Sequence, residues 1–565
     1  NNTLTVTTPA GDTTTTSLTP GATIDSGDVQ VASLLAMSFE NLGSTGSVVL
    51  DDADAVADDT LVYIGSGSDD SFGLSATGIV SLNSQLSVDV ASDVATLTLD
   101  GLDGDDTFAV TAGHGIGTVN LSGGGPSASD VANLTGDGTA ITVALSDPAS
   151  VSGGGLGTIN LPGIEQVNLD AASGDVAADG TTGDDTISYA PTGTDAGTIA
   201  VDGLNTDFSL SDVGSLTIDA AAGTDLVTVQ GNASDNTIGI IRAANTSVTV
   251  DALQSAAIVS ANTEQLVVSA GMGDDTTNVT GTGGPELTID GGGNSDTIAL
   301  DATTGNDIYV IAPGAQDDSG EIAVSLNGST ATTINFAGTE AITISSLGLD
   351  LASGDGGIDA LTFEGSGSDD AITIDNATAD SGTTQVGSGP LVTYSSLGAG
   401  STVTVNALGG TDSVSLTSTA ADDTLGYTAT GADSASISLA VGGETITFSL
   451  SGTESVSANA VGQATSDALN VTTLDAAITS TGGGGGIVDP VDTAGNALLS
   501  LTYAGIETVA VTGTTGVVQG TSGNDTISLS SAGLVTVTDL FGNSSSTDVS
   551  TFDALVINAL GGSDS

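Results

Sequence analysis

A recurring aspartate is the side chain in this 565-residue sequence whose type and spacing could do chemistry. It stands in the pattern Gly-x-Asp-x-apolar-x-apolar, and clear copies are GTTGDDTISY (180–189), GTSGNDTISL (520–529), ALGGTDSVSL (407–416) and GLDGDDTFAV (101–110). Carboxylate oxygens repeated in this way are ligands for hard cations such as Ca²⁺. We anchor each copy on the acid or amide that precedes the apolar positions. The anchors are Asn2, Asp59, Asp70, Asp106, Asp185, Asp225, Asn236, Asp275, Asp296, Asp307, Asp359, Asp370, Asp412, Asp423, Asp467 and Asp525.

The composition excludes several other kinds of chemistry. The chain has 70 acidic residues, one Lys or Arg, one His and no Cys, which gives a formal net charge of −69. A surface this acidic repels phosphate backbones and anionic lipids, so we expect no nucleic-acid binding and no membrane insertion. Thiolate chemistry is absent, and with only His114 and Arg242 most general-base and phosphate-binding schemes lack their residues. We therefore expect cations as partners and no enzymatic activity.

The residues that follow each anchor predict β-strands. The positions two and four residues after the anchor are apolar in 31 of 32 cases, with Thr277 as the exception. Apolar residues at spacing two, separated by Ser and Thr, are typical of a half-buried strand. Each motif is thus a turn that leads into a strand, and the sequence predicts an all-β protein. In half of the copies Gly stands two residues before the anchor, where we expect it to supply a positive φ.

The spacing of the motifs predicts a repetitive architecture. Five pairs of anchors share one short spacing, and the pairs recur at intervals near 50; they are 59/70, 225/236, 296/307, 359/370 and 412/423. Some intervals are longer and hold an extra motif, as the interval from Asp225 to Asp296 holds Asp275. Segments such as 163–165, 338–340 and 505–507, each Gly-x-Glu, open further strands between the pairs.

These intervals favour one architecture over another. We predict a parallel β-solenoid with coils of 20 to about 25 residues, because repeats of this length stack into one continuous core. An array of small β-sandwich domains is the alternative. Residues 1–565 would form one continuous array of about ten units of roughly 50 residues, with no catalytic domain.

Both ends of the sequence lie inside a motif, and neither carries a distinct capping repeat. We expect the sequence to be a window of a longer array, or the end coils to be covered by neighbouring chains. Either case predicts self-association, head to tail or laterally, into a fibre or lattice.

Residues 183–187 and 523–527 reproduce the second half of the nonapeptide Gly-Gly-x-Gly-x-Asp-x-apolar-x. Here the chain resembles the RTX calcium-binding repeats and the acidic bacterial S-layer and surface-fibre proteins that carry related repeats. The resemblance implies that turn carbonyls and Asp carboxylates from successive coils enclose Ca²⁺. The spacing departs from that family, because these motifs come singly or in separated pairs rather than in tandem nonapeptides. The implied ligands are Asp59, Asp70, Asp105, Asp106, Asp184, Asp185, Asp225, Asp274, Asp275, Asp296, Asp307, Asp370, Asp412, Asp423 and Asp525.

The alternative at each motif is that Asp only caps backbone N–H groups of the turn and binds no metal. For the whole chain we expect an extracellular structural protein, a calcium-stabilised fibre, sheath or surface-layer component at the cell surface. A spacer region of a secreted adhesin, with cell-surface polysaccharide as a possible partner, is the second hypothesis. A polysaccharide-acting β-helix enzyme is the third, and it lacks the basic residues that such chemistry needs.

Overall fold

The fold is described from a computed structural model. It describes residues 2–9, 13–52, 58–90, 94–125, 129–251, 258–303, 305–346, 359–398, 400–461, 467–473, 475–482, 484–521, 523–538, 544–560 and 564–565. These residues form 54 strands and no α-helix, which confirms the all-β prediction for the described part of the chain. The strands belong to two sheets of 27 strands each, sheet A and sheet B.

The strands of sheet A are β1 (Thr3–Thr8), β5 (Ser47–Asp52), β7 (Ser71–Leu74), β8 (Ile79–Leu82), β9 (Ser87–Val90), β11 (Thr107–Thr111), β13 (Val131–Thr135), β17 (Gln166–Asp170), β19 (Thr186–Gly193), β20 (Ala196–Val201), β21 (Asp207–Ser211), β23 (Leu226–Asn232), β27 (Gln265–Gly271), β29 (Glu286–Asp290), β31 (Ile308–Pro313), β32 (Gly320–Ser325), β33 (Thr332–Ala337), β35 (Ala360–Glu364), β39 (Thr402–Asn406), β41 (Thr424–Ala429), β42 (Ser434–Val441), β43 (Glu444–Ser451), β45 (Ala468–Thr472), β49 (Thr508–Thr512), β51 (Thr526–Leu529), β52 (Leu534–Thr538) and β53 (Ser544–Asp548).

The strands of sheet B are β2 (Thr15–Pro20), β3 (Gly27–Val31), β4 (Met37–Phe39), β6 (Asp59–Ile64), β10 (Val94–Asp100), β12 (Thr118–Ser122), β14 (Ile141–Ala144), β15 (Ser150–Gly153), β16 (Thr158–Asn160), β18 (Val176–Asp179), β22 (Leu216–Asp219), β24 (Thr237–Arg242), β25 (Thr246–Val250), β26 (Ile258–Ala261), β28 (Thr276–Gly281), β30 (Thr297–Ala302), β34 (Ala341–Ser346), β36 (Ala371–Thr378), β37 (Ser381–Val386), β38 (Leu391–Ser395), β40 (Ser413–Thr417), β44 (Ser455–Asn459), β46 (Asp475–Gly482), β47 (Gly485–Val491), β48 (Leu501–Ala504), β50 (Thr515–Gln519) and β54 (Ala554–Asn558).

Most neighbouring strands are parallel, as a β-solenoid requires, but each sheet also contains three-stranded antiparallel meanders. In one of them β19 pairs antiparallel with β20, and β20 pairs antiparallel with β21. The last strand, β21, lies parallel to the earlier β17, and the first strand, β19, lies parallel to the later β23. After β17 the chain therefore forms β19 beyond two strand positions of the sheet, which it fills by returning through β20 to β21, and β21 lies beside β17. The other meanders of the described residues are β2–β4, β7–β9, β14–β16, β24–β26, β31–β33, β36–β38, β41–β43, β46–β48 and β51–β53.

The meanders correct the predicted coil length. Coils of the predicted length occur where no meander intervenes, as between β28 and β30, whose preceding anchors Asp275 and Asp296 are 21 residues apart. A meander adds two strands to a coil, so that the anchors of the parallel strands β19 and β23, Asp185 and Asp225, are 40 residues apart. The closely spaced motif pairs place one anchor before a strand of each sheet, as Asp296 does before β30 and Asp307 before β31.

The chain divides into two compact units, residues 1–271 with 284–286 and residues 272–283 with 287–565. Within each unit the strands alternate between buried and outward-facing residues. The apolar residues two and four places after an anchor form the core, as Ile187 and Tyr189 do in the first unit and Leu425 and Tyr427 in the second. Among the described residues, no helix is long and apolar enough to span a bilayer.

Candidate functional site: the inter-coil carboxylate ladder

The anchor aspartates of neighbouring coils are stacked and joined by hydrogen bonds. The N–H of Asp70 donates to Oδ1 of Asp106 at 2.7 Å, and the N–H of Asp106 donates to Oδ1 of Asp130 at 2.7 Å. The N–H of Asp130 then donates to Oε2 of Glu165 at 2.8 Å. The backbone continues the same register, because the carbonyl oxygen of Asp70 accepts the N–H of Thr107 at 2.8 Å. We call this arrangement the carboxylate ladder.

The ladder recurs in both units with the same order of residues. An aspartate that precedes the first strand of a meander, which we call a starter, donates its N–H to the aspartate of the next coil, which we call an acceptor. The starters are Asp70, Asp185, Asp307, Asp370, Asp423 and Asp525. The acceptors are Asp106, Asp130, Asp225, Asp296, Asp359, Asp412, Asp467 and Asp564, with Asp275 as the donor to Asp296.

Five of the ladders end at a glutamate. Its Oε2 accepts the N–H of the preceding acceptor at 2.6–2.9 Å, as Glu264 does for Asp225. Four of these glutamates stand in Gly-x-Glu segments, whose glycine turns the chain tightly against the preceding coil, as Gly163 does with φ +70 against the backbone of Gly124. Asn262, with φ 48, takes the place of this glycine before Glu264. These terminal glutamates are Glu165, Glu264, Glu340, Glu454 and Glu507. The sequence showed the Gly-x-Glu segments, but reasoning from it missed that they continue the ladder.

A second, exposed row of acids runs beside the ladder in the opposite sense. The N–H of Asp105 donates to Oδ1 of Asp69 at 3.0 Å, while the N–H of Asp70 donates to Asp106. Two adjacent acids of one coil, such as Asp69 and Asp70, and two of the next coil, Asp105 and Asp106, therefore join the coils by hydrogen bonds in both directions. We call such a pair of hydrogen bonds a clamp. Three further clamps use Asp184 with Thr224, Asp274 with Ser295 and Asp369 with Thr411.

The carboxylates of the starters accept hydrogen bonds from a residue of their own turn. In Asp185, Oδ2 accepts the N–H of Thr181 at 2.7 Å, and the Thr181 hydroxyl donates to Oδ1 at 3.1 Å. The same Ser or Thr, four residues before the anchor, serves Asp70, Asp307 and Asp525 at both oxygens, Asp370 at Oδ2 and Asp423 at Oδ1. Asp59 is also fully occupied, since Thr14 N–H donates to Oδ1 and the Thr8 hydroxyl to Oδ2.

Five acceptors differ, because their second oxygen is buried without a hydrogen-bond donor, a state that the starter Asp423 shares. Oδ2 has no partner in Asp106, Asp130, Asp225, Asp296 and Asp412, and both Asp106 and Asp130 are 0% exposed. In place of the Ser or Thr, the acceptor turns carry a residue with positive φ, such as Leu102 at 72°. A Cβ on Gly101, five residues before Asp106, would overlap Oδ2 and lie 3.0 Å from the carbonyl oxygen of Gly123. The orphan oxygen therefore faces backbone carbonyl oxygen of the next coil.

This environment disfavours the charged form of the acceptor carboxylates. Burial raises the pKa of Asp106 to about 6; the N–H of Asp70 opposes this rise, and the charge of Asp130 adds to it. Burial likewise raises the pKa of Asp296 and of Asp359 to about 6. The pKa values of Asp130, Asp225 and Asp467 are also raised, mainly by burial.

The structure thus separates the fifteen predicted metal ligands by the state of their oxygens. Both oxygens are capped in Asp59, Asp70, Asp185, Asp307 and Asp525, and Oδ2 is capped in Asp370. In Asp184 and Asp274 one carboxylate oxygen accepts an exposed backbone N–H. Asp105 donates its own N–H to Asp69, and Asp275 donates its N–H to Asp296. The orphan Oδ2 occurs in Asp106, Asp225, Asp296, Asp412 and Asp423.

No ready-made metal cluster accompanies these orphan oxygens. The described residues contain no group of three or more His, Asp or Glu side chains arranged to hold a metal ion. A cation at an orphan oxygen would therefore take its other ligands from the backbone.

His114 and Arg242 are both buried. His114 stands between Gly113 and Gly115, a pattern that predicts an exposed loop, and that prediction is wrong. The imidazole is 7% exposed, its Nδ1 accepts the N–H of Ile116 at 3.1 Å, and burial lowers its pKa. Arg242 donates from Nη2 to the carbonyl oxygen of Pro285 at 3.1 Å.

No protein-family model matches this chain, and a search of curated proteins finds no match.

Proposed function

We propose that this chain is an extracellular structural protein, a calcium-stabilised β-repeat array that forms part of a fibre, sheath or surface layer. The observation that carries the proposal is the set of buried acceptor carboxylates whose Oδ2 atoms have no donor. A chain with one Lys or Arg in 565 residues has almost no side chain that could neutralise them. An uncompensated buried carboxylate is costly, so either a proton or a bound cation must relieve it.

Calcium suits these positions because the orphan Oδ2 atoms of Asp106, Asp130 and Asp296 lie beside backbone carbonyl oxygens of Gly123, Gly163 and Gly338. Hard cations take carboxylate and backbone carbonyl oxygens and need neither nitrogen nor sulfur ligands. The residues that would hold the ion are Asp106, Asp130, Asp225, Asp296 and Asp412, with the carbonyl oxygens of the next coil. The bound ion would supply the positive charge that the ladder lacks. Asp130 was not among the ligands expected from the sequence, because it does not stand in the Gly-x-Asp pattern.

An extracellular location follows from the same argument. Sites with one carboxylate and backbone oxygens bind Ca²⁺ weakly, and such sites fill only at the calcium concentrations found outside cells. Binding to the folded state alone then stabilises the array by mass action. A role in structure rather than catalysis fits a site that is repeated in coil after coil.

Self-association is the partner interaction that we propose, through strands that other coils would cover. Neighbouring coils already pair in parallel register, as β46 does with β50 and β50 with β54. Exposed strand edges with apolar side chains accept further strands. The occupant would be a further β-coil, and its pairing would extend the array.

The test is thermal unfolding followed by far-UV circular dichroism in excess EGTA, after which Ca²⁺ or Mg²⁺ is added back. We expect a lower melting temperature in EGTA that Ca²⁺ restores and Mg²⁺ does not. An unchanged melting temperature would show that the aspartates only cap turns and that the array is independent of metal.

A further inference from the structure

The second unit contains a polar cleft of about 670 Å³ that meets the ladder only at Glu340. It lies between the loop that joins β31 to β32 and the loop that joins β37 to β38, and Glu340 forms part of its wall. The two loops belong to meanders of different sheets. Clefts between loops on a rigid scaffold are the usual place for ligand binding, and this volume is within the range of small-molecule sites.

Hydrogen bonds between and within the two loops define the shape of the cleft. The Ser388 hydroxyl donates to Oδ1 of Asp317 at 2.7 Å and so joins the two loops. The N–H of Thr339 donates to the carbonyl oxygen of Asp318 at 3.0 Å, and Gln385 Nε2 donates to the carbonyl oxygen of Gly389 at 2.9 Å. Because these contacts fix both loops internally, a ligand would meet a preformed surface.

The lining selects for a ligand rich in hydrogen-bond donors. Asp317, Asp318 and Glu340 line the cleft together with Gln316 and Gln385. Asp317 and Glu340 each use one carboxylate oxygen within the protein, for the Ser388 hydroxyl and the N–H of Asp296. The Asp318 carboxylate takes part in none of the hydrogen bonds that hold the loops. Pro390 and Ala315 add small apolar surfaces. Anionic ligands are excluded by charge, whereas hydroxyl and ammonium groups find acceptors on several sides.

The described residues include no group of three carboxylates arranged to hold a metal ion, and two of the three here already accept a hydrogen bond from the protein. The carboxylates are spread over a cleft, which suits a ligand with several separated donors.

We propose that this cleft binds an oligosaccharide that carries free amino groups. Each sugar unit would offer an ammonium group to a carboxylate and hydroxyl groups to the carboxamides, and Pro390 would contact the apolar face of a ring. The inference goes beyond the calcium-stabilised array and does not depend on calcium. In a surface-layer protein, such a site would attach the array to an amino-sugar polymer of the cell surface.

The experiment is isothermal titration of the full chain with a glucosamine tetramer at pH 6 and 150 mM NaCl. Because the chain is strongly acidic, the decisive measurement is the comparison of variants. Asp318→Asn keeps the size of the side chain and should lower the affinity at least fivefold, and Gln316→Ala should lower it less. Asp89→Asn, which removes an exposed acid from β9 in the other unit, is the matched control and should bind like the wild type.

Two further ligands sharpen the result. We expect the N-acetylated tetramer, which lacks the ammonium groups, and a galacturonate tetramer, which is anionic, to bind much more weakly. Equal affinity for the wild type and Asp318→Asn, or no measurable binding of the glucosamine tetramer, would overturn the proposal. Neither outcome would alter the EGTA result, so the failure of this site and the failure of the calcium proposal can be told apart.

Discussion

Residues 180–185 and residues 219–225 form turns of adjacent coils in the first unit, and both lead into strands of sheet A through an aspartate. Asp185, a starter, has its two oxygens capped by Thr181, whereas Asp225, an acceptor, takes the N–H of Asp185 on Oδ1 and leaves Oδ2 buried without a donor. The two turns begin parallel, in-register strands. The same sequence motif therefore serves two environments, one satisfied locally and the other only between coils.

This difference indicates where the array is vulnerable. A starter turn satisfies its own carboxylate at every starter except Asp423, whose Oδ2 lacks a donor, so its stability depends little on the next coil. An acceptor carries both the hydrogen bond that joins two coils and the charge that nothing neutralises. Cohesion between coils and sensitivity to cations should thus be located at the same residues.

Removal of an acceptor carboxylate should have the largest effect. Asp225→Ala leaves the buried N–H of Asp185 without its acceptor, which costs about 1–3 kcal/mol. Asp184→Ala removes the exposed half of the same clamp, from Thr224, and should cost less because water replaces the carboxylate. Native-state amide exchange of β19 and β23 measures both losses, and the Asp225 variant should exchange about 5–150-fold faster. Equal effects of the two variants would contradict the distinction between buried and exposed halves.

The glycine of an acceptor turn should be nearly as sensitive. Gly104→Ala, two residues before the acceptor Asp106, would place a Cβ 2.7 Å from the backbone carbon of Ser68 at a φ of +136°, and overpacking of this kind costs about 1–3 kcal/mol. Gly183→Ala, at the same position of a starter turn, meets only Thr181 Oγ1 at 3.7 Å and should be close to neutral. Urea unfolding of the two variants and the wild type gives the comparison. A Gly183 variant that loses as much stability as the Gly104 variant would show that the two turns do not differ in this way.

Neutralisation of an acceptor should stabilise the calcium-free protein. Asp106→Asn retains an oxygen for the N–H of Asp70 and removes the buried charge, so we expect about 1 kcal/mol of added stability in EGTA at pH 8. Asp70→Asn, at a starter, has no such charge to relieve and should be neutral or destabilising. The melting temperatures of the two variants in EGTA check this expectation, and a lower value for Asp106→Asn would count against it.

Acidification should act in the same direction as that substitution. Burial raises the pKa of Asp106, Asp296 and Asp359 to about 6, above the unfolded value near 4, so the folded state binds protons more tightly. The stabilisation that results is fully present below pH 4 and is lost as the pH rises through 6. In EGTA the melting temperature should therefore be higher at pH 5 than at pH 8, and calcium should reduce that difference. A lower melting temperature at pH 5 than at pH 8 would contradict this prediction.

The strands and the core could be predicted from the sequence because both depend on local periodicity. Alternation after each anchor identified core residues such as Tyr63 and Tyr189. The meanders were not predicted, although Gly442-Gly443 between β42 and β43, with φ values of +63° and +96°, is a typical two-residue hairpin turn. The order of strands within a sheet depends on pairing between residues far apart in the sequence, such as Thr186 and Leu226, which no local pattern specifies.

The two kinds of aspartate also left a signal that went unused. A starter has Ser or Thr four residues before it, as in Thr181 for Asp185, whereas the acceptor Asp225 has Ala221 at the same position. We expected a positive φ at every glycine that stands two residues before an anchor. The structure gives it at Gly104, Gly273 and Gly410 but not at Gly183. The residues that best match the RTX pattern, Asp185 and Asp525, are those whose carboxylates are already capped.

The most direct test compares the calcium response of two multiple variants of the full chain. One replaces the acceptors Asp106, Asp130, Asp225, Asp296 and Asp412 by Asn, and the other replaces the starters Asp70, Asp185, Asp307, Asp370 and Asp525 by Asn. Melting temperatures are measured at pH 8 in EGTA and in excess Ca²⁺. The account predicts that calcium raises the melting temperature of the wild type and of the starter variant but not that of the acceptor variant. A calcium response that survives in the acceptor variant and disappears in the starter variant would contradict it.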